Sequence, residues 1–199
     1  MYKMFRSKRG TDKPIEIFIA LFIILAVAMV ILKMFSGQIQ DKTKELQKIE
    51  QKEKFNQAKG DAKRECDEIC THALQNDCDI QQKAQFCQHK LLTGLDVNMD
   101  GDINDYSEDL LGGIGICEDA IYCPQVTACQ CQGQMTMKNC VGVLYDFYTN
   151  SMSLQPEDAC NLLLSRLEAN TCEVPDGSIF WFDTIVKELE DKGCPNPYG

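Results

Sequence analysis

The pattern of apolar and polar positions divides the chain into unlike stretches. Residues 15–35 read IEIFIALFIILAVAMVILKMF, and no charged side chain falls between Ile17 and Leu32. A helix rising about 1.5 Å per residue would carry this run across about 30 Å, the thickness of a bilayer's hydrocarbon core. The run therefore predicts a transmembrane helix, with a buried helix of a soluble domain as the alternative. A cleaved secretory signal fits less well. The stretch exceeds the usual h-region of about 7–15 residues, and no small-residue cleavage site follows it. Residues 36–65 contain no Pro and are rich in helix formers. Ile39, Leu46, Ile49, Phe55, Ala58 and Ala62 make a thin, irregular stripe with too few heptad matches for a coiled coil. This predicts a solvated helical stem, with Gly37 and Gly60 as its weak points.

Beyond residue 65 the pattern shortens. Cys66 and Cys70, four apart, share one helix face. A turn at Asn76-Asp77 and a second helix to about Leu92 would bring Cys78 and Cys87 near them, as a stapled helical hairpin. Residues 111–117 read as loop leading into strand. Residues 121–148 read as short β-favouring pieces, ending in the run from Val141 to Tyr148. Pro156, Glu157 and Asp158 suit the first turn of a helix reaching about Asn170. Its buried face would carry Cys160, Leu162, Leu163 and Leu167. Residues 178–182 predict a strand or an aromatic core segment built on Phe180, Trp181 and Phe182. A short helix from Asp183 to about Asp191 follows, closed by Gly193 and Pro195. The expected class is α+β: an N-terminal transmembrane helix, a helical stem, and a small disulfide-rich extracytoplasmic head. The divisions are 1–14 as basic tail or leader, 15–35 membrane helix, 36–65 stem, and 66–199 head.

Charge sharpens this division. The chain has 199 residues and a formal net charge of -10. Residues 1–65 hold 14 Lys+Arg against 8 Asp+Glu, leaving 6 against 22 for the remainder of the 20 and 30 in the chain. Lys3, Arg6, Lys8, Arg9 and Lys13 precede the apolar run, so the positive-inside rule places the N-terminus in the cytoplasm and the head outside. The acidity of the rest argues against a nucleic-acid partner, which needs Lys and Arg to neutralise phosphates.

All 12 cysteines lie in the acidic part, at positions 66, 70, 78, 87, 117, 123, 129, 131, 140, 160, 172 and 194. An even, dense set behind a membrane anchor reads as a disulfide framework, with connectivity left open. The competing reading is zinc held by Cys70, His72, Cys87 and His89, which repeat a Cys-x-His pattern. Their spacing does not match the common zinc modules. Cys129 and Cys131 lack the Cys-x-x-Cys spacing of a redox pair and read as two cysteines of one strand bonded to separate partners.

The most specific chemistry is residues 96–109, DVNMDGDINDYSED. Oxygen-bearing side chains stand at positions 1, 3 and 5, Gly at 6 and Ile at 8. The stretch resembles EF-hand and dockerin-type calcium loops. That resemblance implies calcium held by Asp96, Asn98, Asp100, Asp102 and Asn104, with Ile103 anchoring the loop in the core. Position 12 is Ser107 where the loop type has an acid, so Glu108, or Asp109 behind it, is the expected shifted ligand. Calcium suits a flexible many-oxygen loop better than magnesium does. Its expected role is structural, since only one such loop occurs.

The N-terminus resembles that of archaeal type IV pilin-like proteins. Ser7-Lys8-Arg9-Gly10 stands where those have the end of a basic leader, and Glu16 where they have an acid near the start of the apolar helix. This implies cleavage after Gly10 and assembly through Glu16, which here is the sixth residue after the Gly rather than the fifth. A plain signal anchor, with Glu16 among the headgroups beside Lys13, is the other reading. No nucleophile elbow, zinc-protease, kinase or Rossmann pattern occurs. The expectation is a single-pass, membrane-anchored structural or interaction protein, not an enzyme, that self-associates or meets another surface protein. The alternatives are a monomeric anchored binding module and an anchored hydrolase or thiol oxidoreductase.

Overall fold

The computed structural model describes residues 12–108, 113–167 and 172–196. The leader residues through Gly10, the acid Asp109 and the predicted helix end at Asn170 lie outside the described residues. Two units are defined by their internal contacts, residues 1–50 and 51–199. Helix α1 runs Asp12–Gln75.

In the first unit α1 carries the apolar span Ile15–Ser36, with a mean hydropathy of 3.1. Every side chain from Ile15 to Ser36 is exposed. Beyond it, Ile39, Leu46 and Ile49 are exposed too, as a solvated stem requires.

The second unit begins within the predicted stem. From Gln51 onward α1 acquires a buried face: Ala62, Cys66, Cys70 and Ala73 recur at intervals of three and four. The helix ends at Gln75, where Asn76 Nδ2 donates to His72 O at 2.8 Å. Cys78 N donates to Ala73 O at 2.9 Å. Asp77 and Cys78 turn the chain with φ of 53° and 57°. Asp79 then caps α2 (Ile80–Gln88), its carboxylate accepting from Gln81 N at 3.0 Å. The predicted helical hairpin is thus present, built as α1 and α2.

After α2 the chain runs beside residues 118–123. Leu91 N donates to Ile121 O at 2.8 Å and Leu95 N to Glu118 O at 3.0 Å. The acidic loop follows, then two short antiparallel hairpins. Strands β1 (Tyr106–Ser107) and β2 (Ile116–Cys117) pair Tyr106 with Cys117. Gly115 is required here, because a Cβ at this position would overlap the Tyr106 ring. A single helical turn, α3 (Cys123–Val126), leads to β3 (Cys129–Gln130) and β4 (Gln134–Met135).

The run from Val141 to Tyr148, expected as strand, is helical. It lies in α4 (Met137–Asp146) and a π-helical turn, Phe147–Ser151. Thr136 caps α4 by accepting from Asn139 N at 3.2 Å. Cys140, Val141, Leu144 and Tyr148 bury one helical stripe, so packing overrides the β-branched and aromatic preference of the run. Helix α5 (Pro156–Leu167) buries Cys160, Leu163 and Leu167 as predicted, while Leu162 is only half-buried, and α6 (Asp183–Asp191) buries Ile185 and Leu189.

The predicted aromatic segment lies in the core. Trp181 is 2 % exposed. Its ring lies 5.6–5.8 Å from those of Phe182, Tyr122 and Phe180, edge-on to Phe182. Residue 180 meets β2's approach in one bridge, Gly115 with Phe180, and Trp181 N donates to Gly115 O at 2.9 Å. The unit is mostly helical with small antiparallel hairpins.

Candidate functional site: the cystine framework and the acidic loop

All twelve cysteines are paired. The bridges are Cys66–Cys123, Cys70–Cys129, Cys78–Cys131, Cys87–Cys140, Cys117–Cys172 and Cys160–Cys194. Their Cα–Cα distances of 5.3–5.8 Å are ordinary. The predicted staple between the two helices of the hairpin is not made. Instead the four cysteines of the hairpin bond, in order, to four cysteines of residues 123–140. The reason is geometric: α1 and α2 each turn their cysteines toward the α3–α4 region and not toward each other. Cys129 and Cys131 bond to separate partners, as their spacing suggested. Each bridge spans 34–59 residues of chain. In the loop-entropy account loops of this length contribute about 4 kcal/mol each.

The structure uses the zinc candidates otherwise. Cys70 and Cys87 are in different disulfides, so neither presents a thiolate. His72 Nδ1 lies 2.8 Å from Gln82 Oε1. His89 Nε2 lies 2.6 Å from Glu65 Oε1, tying the end of α2 to α1.

In the acidic loop the side-chain oxygens of Asp96, Asn98, Asp100 and Asp102 are turned onto the loop's own backbone. Asp96 accepts from Asp100 N at 3.1 Å and from Gly101 N at 3.0 Å. Asn98 Oδ1 accepts from Asp100 N at 2.9 Å, and Asp100 Oδ1 from Asp102 N at 2.8 Å. Asp102 accepts from Asn104 N at 2.9 Å. Met99 and Gly101 take positive φ, 61° and 97°, which closes the turn. Ile103 is 38 % exposed and borders a groove of about 200 Å³ with Phe55, Gly94 and Leu95. It thus sits at the edge of the core, not within it. Glu108 is exposed, and Tyr106 donates its hydroxyl to it at 3.1 Å, outside the turn. Among the described residues no three His, Cys, Asp or Glu side chains stand as a ready metal cluster.

A residue outside the loop's own sequence, Glu118, reaches it. Glu118 is fully buried, and its Oε1 accepts from Val97 N at 2.8 Å and Asn98 N at 3.0 Å. Burial raises its pKa to about 7; the two backbone donors oppose this and the nearby Asp105 carboxylate adds to it. Nothing in the local sequence marks Glu118, because only the folded chain brings it to the loop, through the β1–β2 pairing and the bond from Leu95 N to Glu118 O.

No protein-family model, curated protein or solved structure matches the chain. Its class rests on its own features. An N-terminal apolar helix and six disulfides mark an extracytoplasmic protein, secreted or membrane-anchored.

Proposed function

We propose that the protein is a single-pass, membrane-anchored structural or interaction protein. Its N-terminus faces the cytoplasm, and its disulfide-linked unit faces outward and binds a partner without turning over a substrate. The observation that carries this reading is the complete pairing of twelve cysteines in a chain that also carries a fully exposed apolar span. A helix of this length with no charge between Ile17 and Leu32 is satisfied by lipid, and six cystines persist only in an oxidising compartment. Calcium belongs to the same reading. The loop 96–105 gathers several carboxylates on a short turn, and a divalent cation relieves their repulsion. Extracellular millimolar calcium suffices for a site of about 10⁻⁴–10⁻³ M.

Fusing a compartment-specific reporter to the C-terminus tests the topology. Activity of a reporter that works only outside the cytoplasm is expected, and activity of a cytosolic one would sink the reading.

A filament subunit is the second reading, favoured by the exposed apolar span standing at the start of a long helix. In it Glu16 meets the amine that cleavage after Gly10 exposes. N-terminal sequencing should then begin at Thr11, and Glu16→Ala should abolish filaments while leaving the protein in the membrane. An intact N-terminus without assembly leaves the monomeric anchored module.

A further inference from the structure

The register of the β1–β2 hairpin sets two acids side by side. Tyr106 pairs with Cys117, so Asp105, one residue before, lies opposite Glu118, one residue after. Glu118 N donates to Asp105 O at 3.0 Å. Glu118 is wholly buried and its Oε2 has no hydrogen-bond partner; Asp105 Oδ1 is equally shut in and unpartnered. The other oxygen of Asp105 accepts from Asn98 Nδ2 at 2.9 Å, and the same amide donates to Asp100 Oδ2 at 3.0 Å. The charge acting on Glu118 is thus another carboxylate, placed close enough to share its proton. Two such carboxylate oxygens inside a protein are costly unless a shared proton or a cation joins them.

The acidic turn supplies the rest of a donor set. Position 12 of the loop, Ser107, is buried in β1 opposite Ile116 and brings no carboxylate. Glu108 is engaged by Tyr106. Glu118 already touches the first residues of the loop through Val97 and Asn98. We infer that Glu118 and Asp105 complete a calcium site with Asp96, Asn98 and Asp100, Glu118 replacing the acid that position 12 lacks. This rests on the calcium reading above. All donors are hard oxygens, three or more of them anionic, which selects a divalent cation of the calcium class over zinc or copper. The exposed Asp and Asn side chains close onto the ion, while Glu118 and Asp105 are in place beforehand.

The test uses the full oxidised chain in detergent micelles, stripped with a chelator and titrated with calcium chloride. Binding is read by calorimetry and melting by near-ultraviolet circular dichroism. Glu118→Gln keeps an amide oxygen for the Val97 and Asn98 donors. It should weaken calcium binding about tenfold or more, and in chelator it should melt no lower than wild type, because a carboxylate facing another has been removed. Asp105→Asn should do the same and decides the matter should Glu118→Gln fail to form its six bridges. Glu108→Gln should bind calcium within about twofold of wild type, since no site ligand is removed. Wild-type binding with undiminished affinity in both Glu118→Gln and Asp105→Asn would overturn the ligand assignment and leave the calcium reading standing. Wild type that neither binds nor shifts its melting at about 10 mM calcium, above the weakest usual range, would overturn both.

Discussion

Between Ile15 and Ser36 every side chain of α1 is exposed, while in the second unit Phe86, Ile116, Leu144 and Trp181 are almost sealed from solvent. The first stretch needs no tertiary contact to be a helix. Its backbone groups are satisfied within the segment, and its side chains match a lipid solvent. The second is built from strands of two residues and helices of 4–12 beyond α1. Such pieces are marginal alone. What holds them is a core around Trp181 together with six covalent ties that shrink the unfolded ensemble. One chain thus specifies structure by solvent in one stretch and by cross-link in another. Within α1 the change is visible: an apolar run on all faces gives way to a single buried stripe at Ala62, Cys66, Cys70 and Ala73.

Complete reduction and alkylation should divide the two most sharply. The second unit should lose its near-ultraviolet dichroism altogether, while the apolar segment keeps its far-ultraviolet helical signal in detergent. Surviving aromatic dichroism in the alkylated protein would show that the cystines are dispensable. Next in size is Trp181→Ala, which empties the centre of the aromatic cluster and should cost about 3–5 kcal/mol in denaturant melts. The paired substitution of Cys66 and Cys123 by Ser should cost about 2–5 kcal/mol; a loss under half a kcal/mol would mean that this bridge restricts little. Gly115→Ala forces a methyl into the Tyr106 ring and should cost about 1–3 kcal/mol, partly recovered when Tyr106→Ala is added. Smallest is a pH effect. Burial holds the Tyr122 phenol up to about 12, where its hydroxyl donates to Arg166 O at 2.5 Å. The unfolded phenol ionises near 10, so between pH 10 and 12 the folded state holds the extra proton and stability falls as pH rises. Tyr122→Phe should flatten that fall.

Much of the fold was legible because helical spacing and lipid length leave local marks. The apolar span, the turn at Asn76-Asp77, the stripe of Cys160, Leu163 and Leu167 (though not Leu162, which is half-buried), and the buried aromatic segment all follow from neighbours in sequence. The run from Val141 to Tyr148 misled because its β-branched and aromatic residues prefer strands, whereas its stripe begins one residue earlier, at Cys140, whose bridge to Cys87 holds it against α2. The pairing of cysteines was not legible, since every bridge joins residues that only the folded chain brings together. Glu118 was hidden for the same reason. It stands far along the chain from Asp96 and reaches the loop through strand register and the bond from Leu95 N. Ile103 carried the right pattern for a core anchor, yet it meets only the rim of the groove beside Phe55.

The most direct test of the account is mass-spectrometric mapping of cystine peptides from the unreduced protein, taken from its native membrane or medium. The account predicts six linked pairs, 66–123, 70–129, 78–131, 87–140, 117–172 and 160–194, with no alkylatable thiol. Twelve free thiols in the folded protein would contradict it.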